Sequence, residues 1–371
     1  VINLVLVGAG KWAIECWAPL LTEFSGEFTV RAVVDPHPGR ALTATRALHL
    51  PDRSAYADLS TALADQPEIS AGVVVASPEE HAGSILALAQ RGIHVLTEKP
   101  LVTTLQDAQR MAAVLPTTGV KLAVMQNYRY QARIQALRQA ASTFDLGPLH
   151  YAVARFAADY RVPGSWDVGD AHTMDHPLLV EGAIHHLDMI RYLTGRDVQA
   201  VSAVATNPPG SSFTGDCVAG LLLHLTGGAF ALYEATLQAA GTQNRWRNEY
   251  YRLEFASGAL ACDTNQVTLT RDGNSEPVPA RADPDMFAGH RRVLSAFAAW
   301  LNGGPPVETT LTDNLRSLAI VFAAIEAANG GATVTVTPPQ PQAVQQTPIA
   351  SHTSVPVGSP PVRTGSGRPL N

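Results

Sequence analysis

Three features of the 371-residue chain predict an α/β protein: an N-terminal doubly wound parallel sheet of Rossmann type, then an α/β domain on an open, mostly antiparallel sheet, then an unfolded tail. Over residues 1 to 125, short β-branched runs alternate with helix-length amphipathic stretches, the rhythm of strand-helix-strand crossovers. From about residue 149 the runs lengthen and follow one another directly, as antiparallel strands do. Beyond Thr337 the composition turns to proline, serine and glutamine, which cannot bury enough apolar surface to fold. The domains are read as 1 to 125, 126 to 337, and a disordered tail from 338 to 371.

In the first domain the strands are "INLVLVG", "TVRAVVD", "AGVVVAS", "HVLTE" and "KLAVMQN", each separated by a helix-length segment. In the second they are "LHYAVARFAADY", "VQAVSAVATN", "CVAGLLLHLTGGAFALYEATLQ" and "YYRLEFASGALACD". Gly227 with Gly228, and Ser257 with Gly258, mark hairpins. A helix is expected from Leu179 to Leu193 with Gly195 just past its end, and two more near residues 285 to 302 and 311 to 329.

An apolar fraction of 46% suits two cores, and a formal charge of −6 without a dense basic run excludes a nucleic-acid surface. Small-molecule partners are expected. Cys16, Cys217 and Cys262 are too scattered for a disulfide framework or a metal site and are read as buried thiols in a reducing compartment. The opening "VINLVLVGAG" is too short to span a bilayer, and no later run reads as a transmembrane helix, so a cytoplasmic location and no membrane partner are expected.

After the first strand, "GAGKWA" places Gly8, Gly10 and Ala13 in the three positions of a G-x-G-x-x-G/A turn, with Lys11 and Trp12 between them. The first glycine permits the tight turn, the second lets a pyrophosphate approach the backbone, and the helix N-terminus offers unpaired N–H groups to the anion. A glycine turn alone has a purely structural reading. Asp35, closing the second strand, adds the acidic residue that binds ribose hydroxyls. A carboxylate there repels a 2′-phosphate, which favours NAD over NADP; Arg40, five residues on, keeps NADP open.

Two further stretches carry chemistry. The chain has only three lysines, Lys11, Lys99 and Lys121, against 23 arginines, so Lys99 in "TEKP" is read as a residue needed for its amine. Pro100 biases it away from helix. In "HTMDHPLLVEGAIHHLDMIRYLTG", Glu181 and His185 lie four apart and His185 and Asp188 three apart, so they share one helical face. Imidazole titrates near neutrality and suits proton transfer, with Glu181 orienting the ring or relaying its proton. His172, His176, His185 and Glu181 are metal-ligand types, but Pro177 follows the His172–His176 pair, which lies on no obvious helix, and no metal is assigned. His186 is read as a packed or capping histidine.

The glycine turn, "EKP" at residues 98 to 100, the Glu181 to Asp188 helix, "QNYRY" after the last Rossmann strand, "SW" at 165 and 166, and "NLRSLAIVFAAIEAANGG" together resemble the glucose-fructose oxidoreductase / inositol dehydrogenase (Gfo/Idh/MocA) family over residues 2 to 337. That resemblance implies an oxidoreductase transferring hydride between a nicotinamide cofactor and a secondary alcohol or ketone of a sugar, cyclitol or nucleotide sugar. It implies Lys99 and His185 as catalytic residues with Glu181, and a cofactor site of the glycine turn, Asp35, Arg40, Ser77, His81, Glu98 and Lys99. His81 and Glu98 would lie beside the nicotinamide. Arg129 and Tyr130 would line the substrate cleft, with Tyr160, Trp166, His172, His176 and Asp188. The second sheet would serve self-association into a homodimer or homotetramer. Glutamate at 181 and Asp167 after Trp166 depart from the family pattern. Two other readings share the fold: an NAD-dependent glycosidase or other redox-neutral sugar-modifying enzyme working by transient oxidation, and a non-catalytic dinucleotide or metabolite sensor.

Overall fold

The computed structural model describes residues 1–166, 171–241, 244, 246–264 and 266–340. Asp167 and residues 341–371 of the expected tail lie outside them. The first sheet contains β1 (Ile2–Val7), β2 (Phe28–Val34), β3 (Ala55–Tyr56), β4 (Ala71–Val74), β5 (His94–Thr97) and β6 (Leu122–Val124), all parallel. Their order is β3-β2-β1-β4-β5-β6. It reverses between β1 and β4, and that switch point opens a crevice at the carboxyl edge, where such sheets bind ligands. Helices α1 (Ala18–Glu23), α2 (Pro38–Ala47), α3 (Leu59–Asp65), α4 (Pro78–Ala89) and α5 (Leu105–Thr118) form the crossovers. Local chemistry sets their ends. Asp58 and Thr104 accept from backbone N–H groups at the starts of α3 and α5, and Gly119 ends α5 in the left-handed conformation.

After α6 (Ala132–Thr143), the second sheet comprises β7 (Leu149–Ala157), then, beyond α7 (Ile184–Thr194), β8 (Val198–Thr206), β9 (Val218–Leu225), β10 (Phe230–Thr236), β11 (Tyr250–Phe255), β12 (Gly258–Asp263), β13 (Gln266–Arg271) and β14 (Asn274–Val278). Helices α8 (Ala288–Leu301) and α9 (Leu311–Gly330) follow, and β15 (Val334–Thr335) returns to the edge. The order is β14-β13-β12-β11-β7-β10-β9-β8-β15. Only β7 with β10 is parallel; the other pairs are antiparallel. Both expected hairpins form, β9-β10 across Gly227 and Gly228 and β11-β12 across Ala256 and Ser257.

One face of this sheet packs on α6, α7 and α9. The other presents Val204, Phe230 and Leu232, which are 67%, 38% and 44% exposed. A cavity of about 660 Å³ crosses that face, away from Lys99 and His185. The cores interlock. Val293, Leu294 and Phe297 of α8 belong to the apolar cluster of Leu4, Leu6, Trp17 and Phe28, so a helix late in the chain completes the core beside β1.

Among the described residues no helix is long and apolar enough to cross a membrane. All three cysteines are free and buried, and burial followed by the nearby Glu98 charge pushes the Cys16 thiol up.

Candidate active site

The glycine turn is shaped by close approach on one side and open space on the other. Gly8 adopts φ +95°, and a Cβ there would stand 2.4 Å from the backbone nitrogen of Ala76. A Cβ on Gly10 would meet no atom within 4 Å, which leaves room for a pyrophosphate over the helix start. That helix opens with a π turn, Ala13–Trp17, in which Ala18 N–H donates to the Ala13 carbonyl. On an α-helix, residues five apart point about 140° away from each other. The i→i+5 ring stacks them instead. Trp12 and Trp17 are five apart, and both indole N–H groups donate to Oε1 of Glu98 at 2.9 Å. Glu98 Oε2 accepts from the backbone N–H of Lys99 at 3.3 Å.

Asp35 directly follows β2 with both oxygens engaged: Oδ2 accepts from Ala9 N–H and Oδ1 from His37 N–H, each at 2.9 Å. Each oxygen keeps a second lone pair for a ribose hydroxyl. Lys11 and Arg40 are exposed at the starts of α-helical segments, Ala13 is buried, and Ser77 is exposed at the N-cap of α4. His81 is 1% exposed, and Nδ1 and Nε2 face the carbonyls of Pro100 at 2.8 Å and Ala76 at 3.1 Å, so it ties those two loops together.

Lys99 leaves the end of β5 and reaches the second domain. Its Nζ donates to Glu181 Oε2 at 2.8 Å and to the Glu181 carbonyl at 3.2 Å. Glu181 sits on a π segment, Leu178–Ala183, that leads into α7, and His185 lies in the first turn of that regular helix. The expected helix therefore exists, but its first turn is wider than an α-turn, and Glu181 pairs with Lys99 rather than with the imidazole. His185 is buried, its ring stacked on Tyr128 at 4.2 Å and 13°. Burial first, then the positive charge of Lys99, pushes its pKa well below the ordinary histidine value. Its Nδ1 and Glu181 Oε1 are buried without a hydrogen-bond partner. Buried polar atoms are rarely left unpaired, and a polar ligand that reached them would supply the missing partners.

An aromatic wall backs this pair. Trp246 lies 6.0 Å from His185 edge-on, 6.3 Å from Tyr128, and 6.2 Å from Trp166. Tyr160 stacks on Trp166 at 5.3 Å and accepts from Trp246 Nε1 at 2.6 Å. Tyr160 and Trp166 thus stand one ring from His185, through Trp246.

Other expected substrate contacts are engaged elsewhere. Arg129 is 4% exposed and donates to both oxygens of Asp188 and to Asp313, so Arg129 and Asp188 form a buried ion pair. Tyr130 packs beside the α8 cluster, near Glu308. His172 stacks on Phe213 at 4.1 Å and bonds the Tyr160 carbonyl at 2.9 Å; His176 pairs with Asp216 at 3.1 Å. Both anchor their loop to the approach to β9. His186 is packed, as expected, with Nδ1 bonded to Tyr233 at 2.8 Å. From "QNYRY" it is Tyr128 that reaches the histidine, and Trp17, Tyr128 and Trp246 were not singled out by motif. Tyr128 had one signal, its place in the segment that leaves the last Rossmann strand.

A dinucleotide cradle at a parallel-sheet switch point, facing a lysine and a neutral buried histidine, defines a nicotinamide-dependent oxidoreductase acting on CH–OH groups. Residues 2–126 match the oxidoreductase family, NAD-binding Rossmann fold, and residues 134–261 match the GFO/IDH/MocA C-terminal domain. The chain belongs to the Gfo/Idh/MocA family. It is 32% identical to the uncharacterised protein y4oX of Sinorhizobium fredii over 71% of this chain and 75% of that one. It is 28% identical to a D-apiose dehydrogenase of Paraburkholderia graminis, over 75% and 76% of the two chains. Its fold is similar to an oxidoreductase from Agrobacterium radiobacter in complex with NAD+, L-tartaric acid and magnesium, with TM-score 0.78, 20% identity, and 90% and 98% of the chains covered.

Proposed function

We propose that the chain oxidises a secondary alcohol of a sugar or cyclitol, or reduces the matching ketone, with His185 as acid/base. The observation that carries this is a neutral, buried His185 with an unpartnered Nδ1, next to the Lys99–Glu181 pair and across from an open glycine cradle. The bound nicotinamide supplies the hydride acceptor or donor. Glu181 holds the Lys99 ammonium at the domain junction, and the ammonium's remaining hydrogen steadies the oxygen of the substrate as negative charge develops. His185 takes the hydroxyl proton on oxidation and returns it on reduction. Tyr128 limits rotation of the imidazole and excludes water from its face. Glu98, clamped by two indoles, keeps the Lys99 backbone in place.

Several similar proteins are named for carbohydrate-type substrates: D-apiose, 1,5-anhydro-D-fructose and inositols. Asp35 supports NAD over NADP, because a 2′-phosphate would meet its carboxylate. The apolar outer face of the second sheet supports a homodimer or homotetramer. Buried free thiols fit a cytoplasmic setting.

The test is NADH formation from NAD across a panel of aldoses, cyclitols and nucleotide sugars, repeated with NADP. Steady NADH production with one class, faster with NAD, supports the proposal. Turnover of a glycoside without net NADH points to transient oxidation instead. Binding of NADH with no turnover of any compound points to a sensor.

A further inference from the structure

The strand order fixes the course a dinucleotide takes over the first sheet. Asp35, after β2, keeps lone pairs for the ribose of one nucleotide, and the glycine turn after β1 takes the pyrophosphate. Past β1 the order continues with β4 and β5, so the other nucleotide, which carries the nicotinamide, runs toward the carboxyl end of β5. Glu98 stands there, directly after β5. It is also tied to the pyrophosphate turn, because Trp12, between Gly10 and Ala13, donates its indole N–H to Glu98 Oε1.

Glu98 differs from its neighbour Glu181 in what it is paired with. Glu181 is matched by the Lys99 ammonium at 2.8 Å. The partners of Glu98 are the indoles of Trp12 and Trp17 and the backbone N–H of Lys99, all of them neutral donors. Such donors fix a carboxylate in place without cancelling its charge. Its field reaches three buried groups on separate elements. At Cys16, on the first π turn, it adds to the effect of burial; at His81 on α4 and His290 on α8 burial outweighs it and keeps both rings neutral. Arg291, next to His290 on α8, is paired with Glu23 and Asp285. Among the described residues, the nicotinamide side of the cradle therefore carries a carboxylate charge with no cation paired to it.

We infer that Glu98 sets the oxidation-state preference of the cofactor site: its carboxylate stabilises the positively charged nicotinamide of NAD+ over the neutral ring of NADH, and the two indoles hold it in place to do so. This rests on the dinucleotide cradle described above. Tighter binding of the oxidised form lowers the potential of the bound couple, by about 30 mV for each tenfold of preference in a two-electron exchange. Bound NADH is thereby made the stronger reductant.

The test is titration of the full chain with NADH, followed by its fluorescence, and with NAD+ by displacement of NADH, for the unaltered protein and for Glu98→Gln and Glu98→Asp. Glu98→Gln keeps the size of the side chain and removes the charge; it should weaken NAD+ relative to NADH by about 5- to 20-fold, the effect of losing one partly screened charge close to another. Glu98→Asp keeps the charge but loses a methylene, and with it the reach to both indoles; it should retain most of the preference. A side chain that only braced Trp12 and Trp17 would behave otherwise, weakening both dinucleotides by the same factor and more in the aspartate variant than in the glutamine one. Equal weakening of NAD+ and NADH in Glu98→Gln, or a ratio shifted as far by aspartate as by glutamine, overturns the inference. Failure of the dinucleotide reading shows separately, as an unaltered chain that binds neither NADH nor NAD+, and it takes the inference with it.

Discussion

In the proposed reaction Lys99 and His185 divide the work at the reacting oxygen by charge: the ammonium stays with Glu181, and burial and that same ammonium favour the neutral imidazole. Lys99→Arg keeps the charge but puts a planar fork where a point donor fits, so turnover should fall by roughly 100-fold or more while NADH binding persists. The comparison is NADH formation against NADH titration for the two proteins. A second expectation concerns pH. A general base works in its neutral form, and a lowered pKa keeps it neutral to lower pH. The acid limb of kcat/KM for oxidation should therefore lie clearly below 6.5, the unperturbed histidine value. A profile that halves near that value contradicts the assignment.

At the scale of elements, two π segments do specific jobs. One brings Trp12 and Trp17 together on Glu98, and the other widens the turn that carries Glu181 toward Lys99. Helix α8 docks by a different device. A Cβ on Gly289 would lie 2.2 Å from the Asn127 carbonyl oxygen, so glycine alone permits the helix to approach the chain that leads into Tyr128. Beside it, His290 Nδ1 faces the Asn127 side-chain amide at 3.4 Å and its ring stands 5.8 Å from Trp12. Gly289→Ala should cost about 2 kcal/mol by overpacking. Thermal unfolding reads this as a fall of several degrees in Tm, accompanied by weaker NADH binding as Trp12 and Tyr128 shift.

For the whole molecule, the second sheet has one face covered by helices and one face bearing a row across neighbouring strands: Ser202, Leu222, Leu232, Val153 and Arg252 stand in register. Apolar groups at the centre of such a row with polar ends suit a self-complementary contact. Leu232→Glu would place a charge there without touching either core. It should shift the protein to monomer in light scattering while leaving its circular dichroism unchanged. An unchanged mass would exclude this face as the interface.

The sequence alone determined the sheet-helix rhythm, the glycine turn with Asp35, Lys99 at a strand end, and the helix bearing Glu181 and His185. These depend on local chemistry: the period of apolar residues, a backbone that needs glycine, and caps a few residues away. It did not show β3, β14 or β15, because β3 and β15 are two residues long and the edge strand β14 is exposed and carries Pro277. Nor did it show that Arg129 is neutralised by Asp188, 59 positions away, and Asp313, 184 away. Trp17 meets Glu98 across 81 positions, and Trp246 meets His185 only once the second sheet is folded. Which charges are spent and which remain available is decided by burial and partner distance, quantities that exist only when segments far apart in the chain have packed together.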